Sequence, residues 1–319
     1  MKTIIDFLKN WTLPSAIVSG TVIYLIFYWV RALDPVSAVM EPIFDTILPL
    51  FMSLILFTTF LRVDFHKMRP AMWHLWVTVF QLLFIVLITA LIIGFNMQGK
   101  DLILMEGILT CVICPGASAA PVVTGKLGGN ISTMTTYTIL SSIVSAVLIP
   151  LVFPLLEQTV HVEFLTAFLI ILQKVSTVLL LPLVLGWLVQ HYWKALCSYI
   201  LSVPNLSFYT WAISLSITTG ITVKNIVHSA ASLSLLLSIA AATLLLCFLQ
   251  FAIGRGIGRR LGEEINAGQA LFQKNTALSI WVAYMYLNPV ASIGAGCYVL
   301  WQNIINSLEL WQHRKSDEC

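Results

Sequence analysis

Of the chain's 319 residues, 59% are hydrophobic and 10% are charged, whereas an ordinary soluble domain carries about 25% charged residues; this excludes a cytosolic enzyme. The formal net charge of +3 is too small to mark a nucleic-acid partner, and the connections between apolar stretches are too short to hold a soluble catalytic domain. The chain is therefore read as an all-α integral membrane protein, with the lipid bilayer as its first partner.

A membrane-spanning helix needs about 20 mostly apolar residues and pairs its own N–H and C=O groups internally. Span 1 is read at 13–30. The residues before it are charged and mixed, and its own length is enough to cross, so it is taken as a helix and not as a cleavable leader. Arg31 and the Asp34-Pro35 turn close it. Span 2 covers 39–61 and ends in a loop with Arg62, Lys67 and Arg69; span 3 covers 72–95. Span 4, at 102–123, is interrupted by Cys114-Pro-Gly116 and again by Pro121, and span 5 lies at 133–156. Spans 6 to 10 are read at 164–189, 199–221, 230–253, 267–287 and 289–310.

Lys and Arg in short loops set the orientation. The side holding the N-terminus carries twelve of them and the opposite side only Arg31, Lys100 and Lys224, so both termini are expected in the cytoplasm, at a bacterial inner membrane. Ten spans divide into five and five, 1–156 and 157–319, with the second half inserted upside down. Such inverted five-helix repeats are common in secondary transporters, which place the substrate beside broken helices at the repeat interface.

Two segments carry chemistry. Cys114-Pro-Gly-Ala-Ser-Ala-Ala-Pro121 sits in mid-span 4, where proline removes backbone donors and small residues permit close approach. It is either an unwound stretch or a proline kink packed against a neighbour. The second is Gly268-Gln-Ala-Leu-Phe-Gln-Lys-Asn-Thr276, opening span 9. A lysine at mid-membrane depth costs about 2.5 to 3.5 kcal/mol unless paired or hydrated; Lys274 stands beside Gln273, Asn275 and Thr276, which points to a polar cavity, with snorkelling as the alternative. Asp45 and Glu106 are the acids placed to be buried, as charge-pair or proton partners, and Lys174 is a further candidate. Glu41 and Glu309 are read as interfacial and His74 as solvated. The aromatic residues Trp281, Tyr284 and Tyr286 fit a crevice or a lipid face equally. Cys111 and Cys114 form a C-x-x-C without a second pair or a nearby histidine, so neither a metal nor a redox role is expected.

At these crossing segments the sequence resembles the bile acid:sodium symporter family. The matching stretches are Cys114-Pro-Gly-Ala-Ser-Ala119, Gly125-Lys-Leu-Gly-Gly-Asn130, the Thr-rich start of span 5 leading to Ile149-Pro150, and Gln273-Lys-Asn-Thr-Ala-Leu278, with looser likeness at Leu48-Pro-Leu-Phe-Met-Ser53 and Leu181-Pro-Leu-Val-Leu-Gly186. The resemblance implies a core of spans 3 to 5 and 8 to 10, a panel of spans 1, 2, 6 and 7, and substrate between them where broken spans 4 and 9 cross. It places the site at Gly116, Ser118, Ala120, Pro121, Thr138, Gln273, Lys274, Asn275 and Thr276. The chain departs from the sodium-coupled pattern, with Ala120 and Pro121 where that pattern has Ser-Asn, Ala270 in place of a Glu, Lys274 in place of a Gln and Met134 in place of a Ser.

Sodium needs several hard oxygen ligands with negative character, and an alanine for the carboxylate with an ammonium nearby removes both. The reading is a carrier of an organic anion, bile acid-like or a small carboxylate. It is sodium-independent and without cofactor, with Lys274 standing in for the ion. Its rivals are a sodium-coupled symporter with other ligands, a channel, and a membrane-embedded enzyme; scattered histidines supply no catalytic cluster for the last.

Overall fold

The computed structural model describes residues 12–61, 68–156, 164–203, 206–229 and 231–317. Among them are thirteen α-helices and no strand. The cationic positions Lys2, Lys9, Arg62 and Lys67 lie outside the described residues, as do the side chains of Arg31, Glu41 and Asp45.

Helix α1 is Thr12–Trp29 and α2 is Asp34–Phe60. Asp34-Pro35, read as a turn, opens α2 instead, because a proline in the first turn lacks only an N–H that the helix leaves unpaired anyway. Helix α3 is Met72–Gly94. Span 4 becomes α4, Gly99–Ile113, and α5, Ala120–Lys126, and α6 follows at Ile131–Leu156. Helix α7 is Phe164–Tyr192. Span 7 is displaced: a short α8, Lys194–Ser202, precedes α9, Leu206–His228. Val203, just before Pro204, is extended at φ −70° and ψ 111°, as the proline ring requires of its predecessor.

Helix α10, Leu233–Leu261, is capped at its start by the Ser232 hydroxyl and stops at Gly262, whose φ of 73° suits glycine. Span 9 divides into α11, Glu264–Phe272, and α12, Thr276–Tyr286, and α13 runs Ser292–Asp317. Helices α3, α6, α7 and α10 are each long and apolar enough to cross a bilayer; α1 and α2 carry shorter apolar runs at Ser15–Trp29 and Pro49–Phe60. The protein is an all-α integral membrane protein.

Lipid gives helices little hydrophobic reason to associate, so close packing by small residues carries more of the contact. A Cβ on Gly294 of α13 would lie 2.9 Å from the Gly107 Cα of α4, and one on Gly20 of α1 would lie 2.1 Å from the Ser216 carbonyl oxygen of α9. Helix α9 also packs on α2, and α2 on α7; α10 packs on α11, α13 and α4. Helix α11 is held to the turn before α6 by Asn266, whose Oδ1 accepts from Asn130 N at 2.9 Å and whose Nδ2 donates to Asn130 O at 2.7 Å. The two helix breaks, 114–119 and 273–275, meet between the α2–α9 pair and α13.

Candidate functional site

Breaking a helix inside an apolar protein frees backbone groups that must find partners. At the first break they do so across the crossing. Gly116 and Lys274 form an isolated antiparallel bridge, with Ala117 N donating to Gln273 O and Asn275 N donating to Pro115 O, both at 2.9 Å. Gly116 N donates to Ser141 Oγ at 3.1 Å. The carbonyls ending α4 are taken by side chains: Val112 by Gln81 Nε2 at 2.8 Å, Ile113 by Ser145 Oγ at 2.7 Å and Thr110 by Ser279 Oγ at 3.3 Å. At the end of α11, Phe272 O accepts from the Tyr298 hydroxyl at 2.8 Å. Asn275 caps α12 by accepting from Leu278 N at 3.2 Å.

Gln302 of α13 clasps the backbone of Lys274 on both sides: Oε1 accepts from its N–H at 3.0 Å, and Nε2 donates to its carbonyl at 3.3 Å. Replacing Gln302 by leucine keeps the volume and leaves the buried Lys274 N–H unpaired, at a cost of about 1 to 3 kcal/mol, while the Lys274 carbonyl keeps its bond from Thr276 N at 2.9 Å. A clear fall in thermal stability of the purified protein is expected; a variant as stable as wild type would show that the clasp holds nothing.

The Lys274 side chain is 1% exposed, and among the described residues its Nζ has no hydrogen-bond partner. Its electrostatic neighbours are the thiols of Cys114 and Cys111. It borders a cavity of about 40 Å³ whose walls are Met52 and Ile55 from α2, Ser214, Leu215 and Thr218 from α9, Gln302, Asn303 and Asn306 from α13, and residues 117–119 and 273–277 of the breaks. At about 10 to 15 Å³ per water, that space admits roughly three waters.

Of the residues singled out in the sequence, Ser118, Gln273, Lys274, Asn275 and Thr276 line this cavity, and Gly116 forms the bridge behind it. Ala120 and Pro121 are buried in the first turn of α5, beyond its lining. Thr138 is fully buried and donates to Met134 O at 3.0 Å. Its own carbonyl accepts from Ser141 Oγ at 3.0 Å, so it reaches the crossing through Ser141. Glu106 is buried further toward the start of α4 and accepts from Asn288 N at 3.3 Å. Lys174 is exposed on α7. Neither borders the cavity, and nor do Trp281, Tyr284 and Tyr286.

One expectation is corrected. His74 is 2% exposed, not solvated. Its Nδ1 accepts from Ala71 N at 3.1 Å, and its Nε2 lies 3.0 Å from Thr133 O, so packing of α3 on the start of α6 encloses it. Glu309, read as interfacial, is half-buried between Arg255 of α10 and Gln269 of α11 and accepts hydrogen bonds from both.

Sequence reading missed the far walls of the cavity. On α13, Gln302, Asn303 and Asn306 are amides in an apolar stretch and were a usable signal, since an amide there needs a partner. On α9, Thr210, Ser214, Thr218 and Thr222 recur every fourth residue, one face of a helix. Three of these hydroxyls donate back to the carbonyl four residues earlier, at 2.8, 2.9 and 2.8 Å. Ser214 Oγ has no partner among the described residues.

The family model described as the Sodium Bile acid symporter family matches residues 49–229, more than half of the chain. The matched range contains the first break and the α2 and α9 walls and ends before the break that holds Lys274. No curated protein matches the chain.

Proposed function

We propose that this chain, which belongs to the sodium bile acid symporter family, carries an organic anion across the membrane by alternating access and without sodium, the Lys274 ammonium occupying the electrostatic role of the ion. The observation behind this reading is a lysine 1% exposed, with no partner for Nζ among the described residues, at the meeting of two broken helices. Among the described residues no carboxylate lines the cavity, and position 270 is a fully buried alanine, so a sodium ion would find neutral oxygens and a neighbouring cation. An ammonium in low dielectric is costly alone and attracts an anion strongly.

A site that holds roughly three waters must open to take an organic anion. The arrangement supports movement of the α2–α9 wall against the crossing. In this reading, 1–156 and 157–319 are inverted repeats, spans 3 to 5 and 8 to 10 are the core, and spans 1, 2, 6 and 7 are the panel. Both termini face the cytoplasm of a bacterial inner membrane.

The test is uptake of labelled organic anions into proteoliposomes in potassium-only buffer, repeated with sodium. Saturable uptake that unlabelled internal anion accelerates, and that sodium leaves unchanged, is the expected result; this trans-acceleration also separates a carrier from a channel. Uptake that requires sodium, together with a sodium-specific rise in thermal stability, would make the protein a sodium symporter.

A further inference from the structure

We infer that the cavity selects a short hydroxylated carboxylate over a bile-acid-sized amphipath; the inference rests on the anion-carrier reading and names its substrate class. Buried polar atoms in native proteins are nearly always paired. Around this one space four are not: Lys274 Nζ, Gln273 Oε1, Ser214 Oγ and Asn306 Oδ1 have no partner among the described residues. Their residues are 1%, 2%, 2% and 6% exposed. They come from three separate parts of the fold, the second break, α9 and α13, so no single helix accident explains them.

Together they describe a ligand. The ammonium calls for a carboxylate. The three oxygens call for O–H donors, and the Ser214 hydroxyl can also donate to a ligand hydroxyl. Met52, Ile55 and Leu215 give a small aliphatic wall, and among the described residues no aromatic side chain lines the space, so a steroid or aryl group finds no platform there. A carboxylate with hydroxyls on its neighbouring carbons answers all four groups at once. A simple alkanoate would satisfy Lys274 and leave the oxygens unpaired, and sites built to bond a hydroxyl reject the analogue that lacks it.

The probes are glycerate, which carries two hydroxyls, propionate, the same chain without them, and taurocholate. Each is measured by thermal shift of the purified full chain and by exchange in potassium-only proteoliposomes. Glycerate is expected to stabilise and exchange at concentrations at least about tenfold lower than propionate, the effect of one or more paired hydrogen bonds. Ser214→Ala and Asn306→Leu, made separately, are expected to narrow that preference to about threefold or less. Ser214→Ala removes one oxygen and serves if the larger change fails to fold. Equal responses to glycerate and propionate would overturn the inference, as would tighter binding of taurocholate; the orphaned groups would then serve water alone. Sodium-independent exchange of taurocholate would leave the anion-carrier reading standing while removing this one. Exchange of no anion would remove both.

Discussion

Lys274→Met is expected to reduce anion uptake about thirtyfold or more while leaving the thermal stability of the empty protein no lower than that of wild type. Methionine keeps the apolar length of the side chain and deletes the charge, so packing around the cavity changes little. When a buried charge pair loses one member, the cost is about 2 to 5 kcal/mol, and 1.4 kcal/mol is tenfold in affinity. The stability half follows from the empty site. Lys274 Nζ has no hydrogen-bond partner among the described residues, and the carbonyls ending α4 and α11 are already taken by Gln81, Ser145, Ser279 and Tyr298. The Lys274 Nζ therefore contributes little to the resting fold, and removing a buried polar group that has no partner does not weaken it. Sodium is expected to give no rescue, because Ala270 remains. Uptake within threefold of wild type would show that Lys274 does not meet the substrate, and a collapse in stability would assign it a structural role.

The parts of this molecule that were legible in its sequence are those governed by local chemistry. Pro115 and Pro121 cannot continue a helix regularly, so the first break was visible as an interruption. The second has no proline; it was marked only by Gln273, Lys274 and Asn275 in an apolar stretch, which pointed to the cavity that four residues of that segment line. Boundaries were misjudged where charge enters a helix. Span 8 was ended at 253, yet α10 continues to Leu261, because Arg255 and Arg259 bond to Glu309 and Glu264. Hydropathy counts such residues as loop, whereas a helix extending past the apolar layer accommodates them.

Tertiary partnerships were not legible at all. Nothing local says that Gln302 clasps a residue 28 positions earlier, that Thr133 lies beside His74, or that the unpaired hydroxyl of α9 is Ser214. Those facts arise when separate helices meet, and the burial of His74 belongs to the same class.

Gly254→Val is expected to abolish the folded protein or lower its stability by about 3 kcal/mol or more, whereas Gly256→Ala, two residues away, leaves stability unchanged or raised. A Cβ on Gly254 would lie 2.5 Å from Ala267 O, 3.0 Å from Gly268 Cα and 3.1 Å from Leu271 Cβ. The first two are backbone atoms of α11, so no side-chain rotation relieves the contact, and overpacking with relaxation already costs about 1 to 3 kcal/mol. Helix α11 would have to move away from α10. It runs directly into Gln273, whose carbonyl accepts from Ala117 N, and into Lys274, held by Gln302, so displacement at Gly254 is transmitted to the bridge between the breaks. A Cβ on Gly256 meets nothing within 4 Å, and alanine in a helix interior is favoured over glycine by up to about 1 kcal/mol. Monodispersity and thermal stability in detergent read both variants, with uptake for those that fold. If Gly254→Val purifies with wild-type stability and uptake, then α10 does not set the position of α11, and the crossing is held by its own hydrogen bonds.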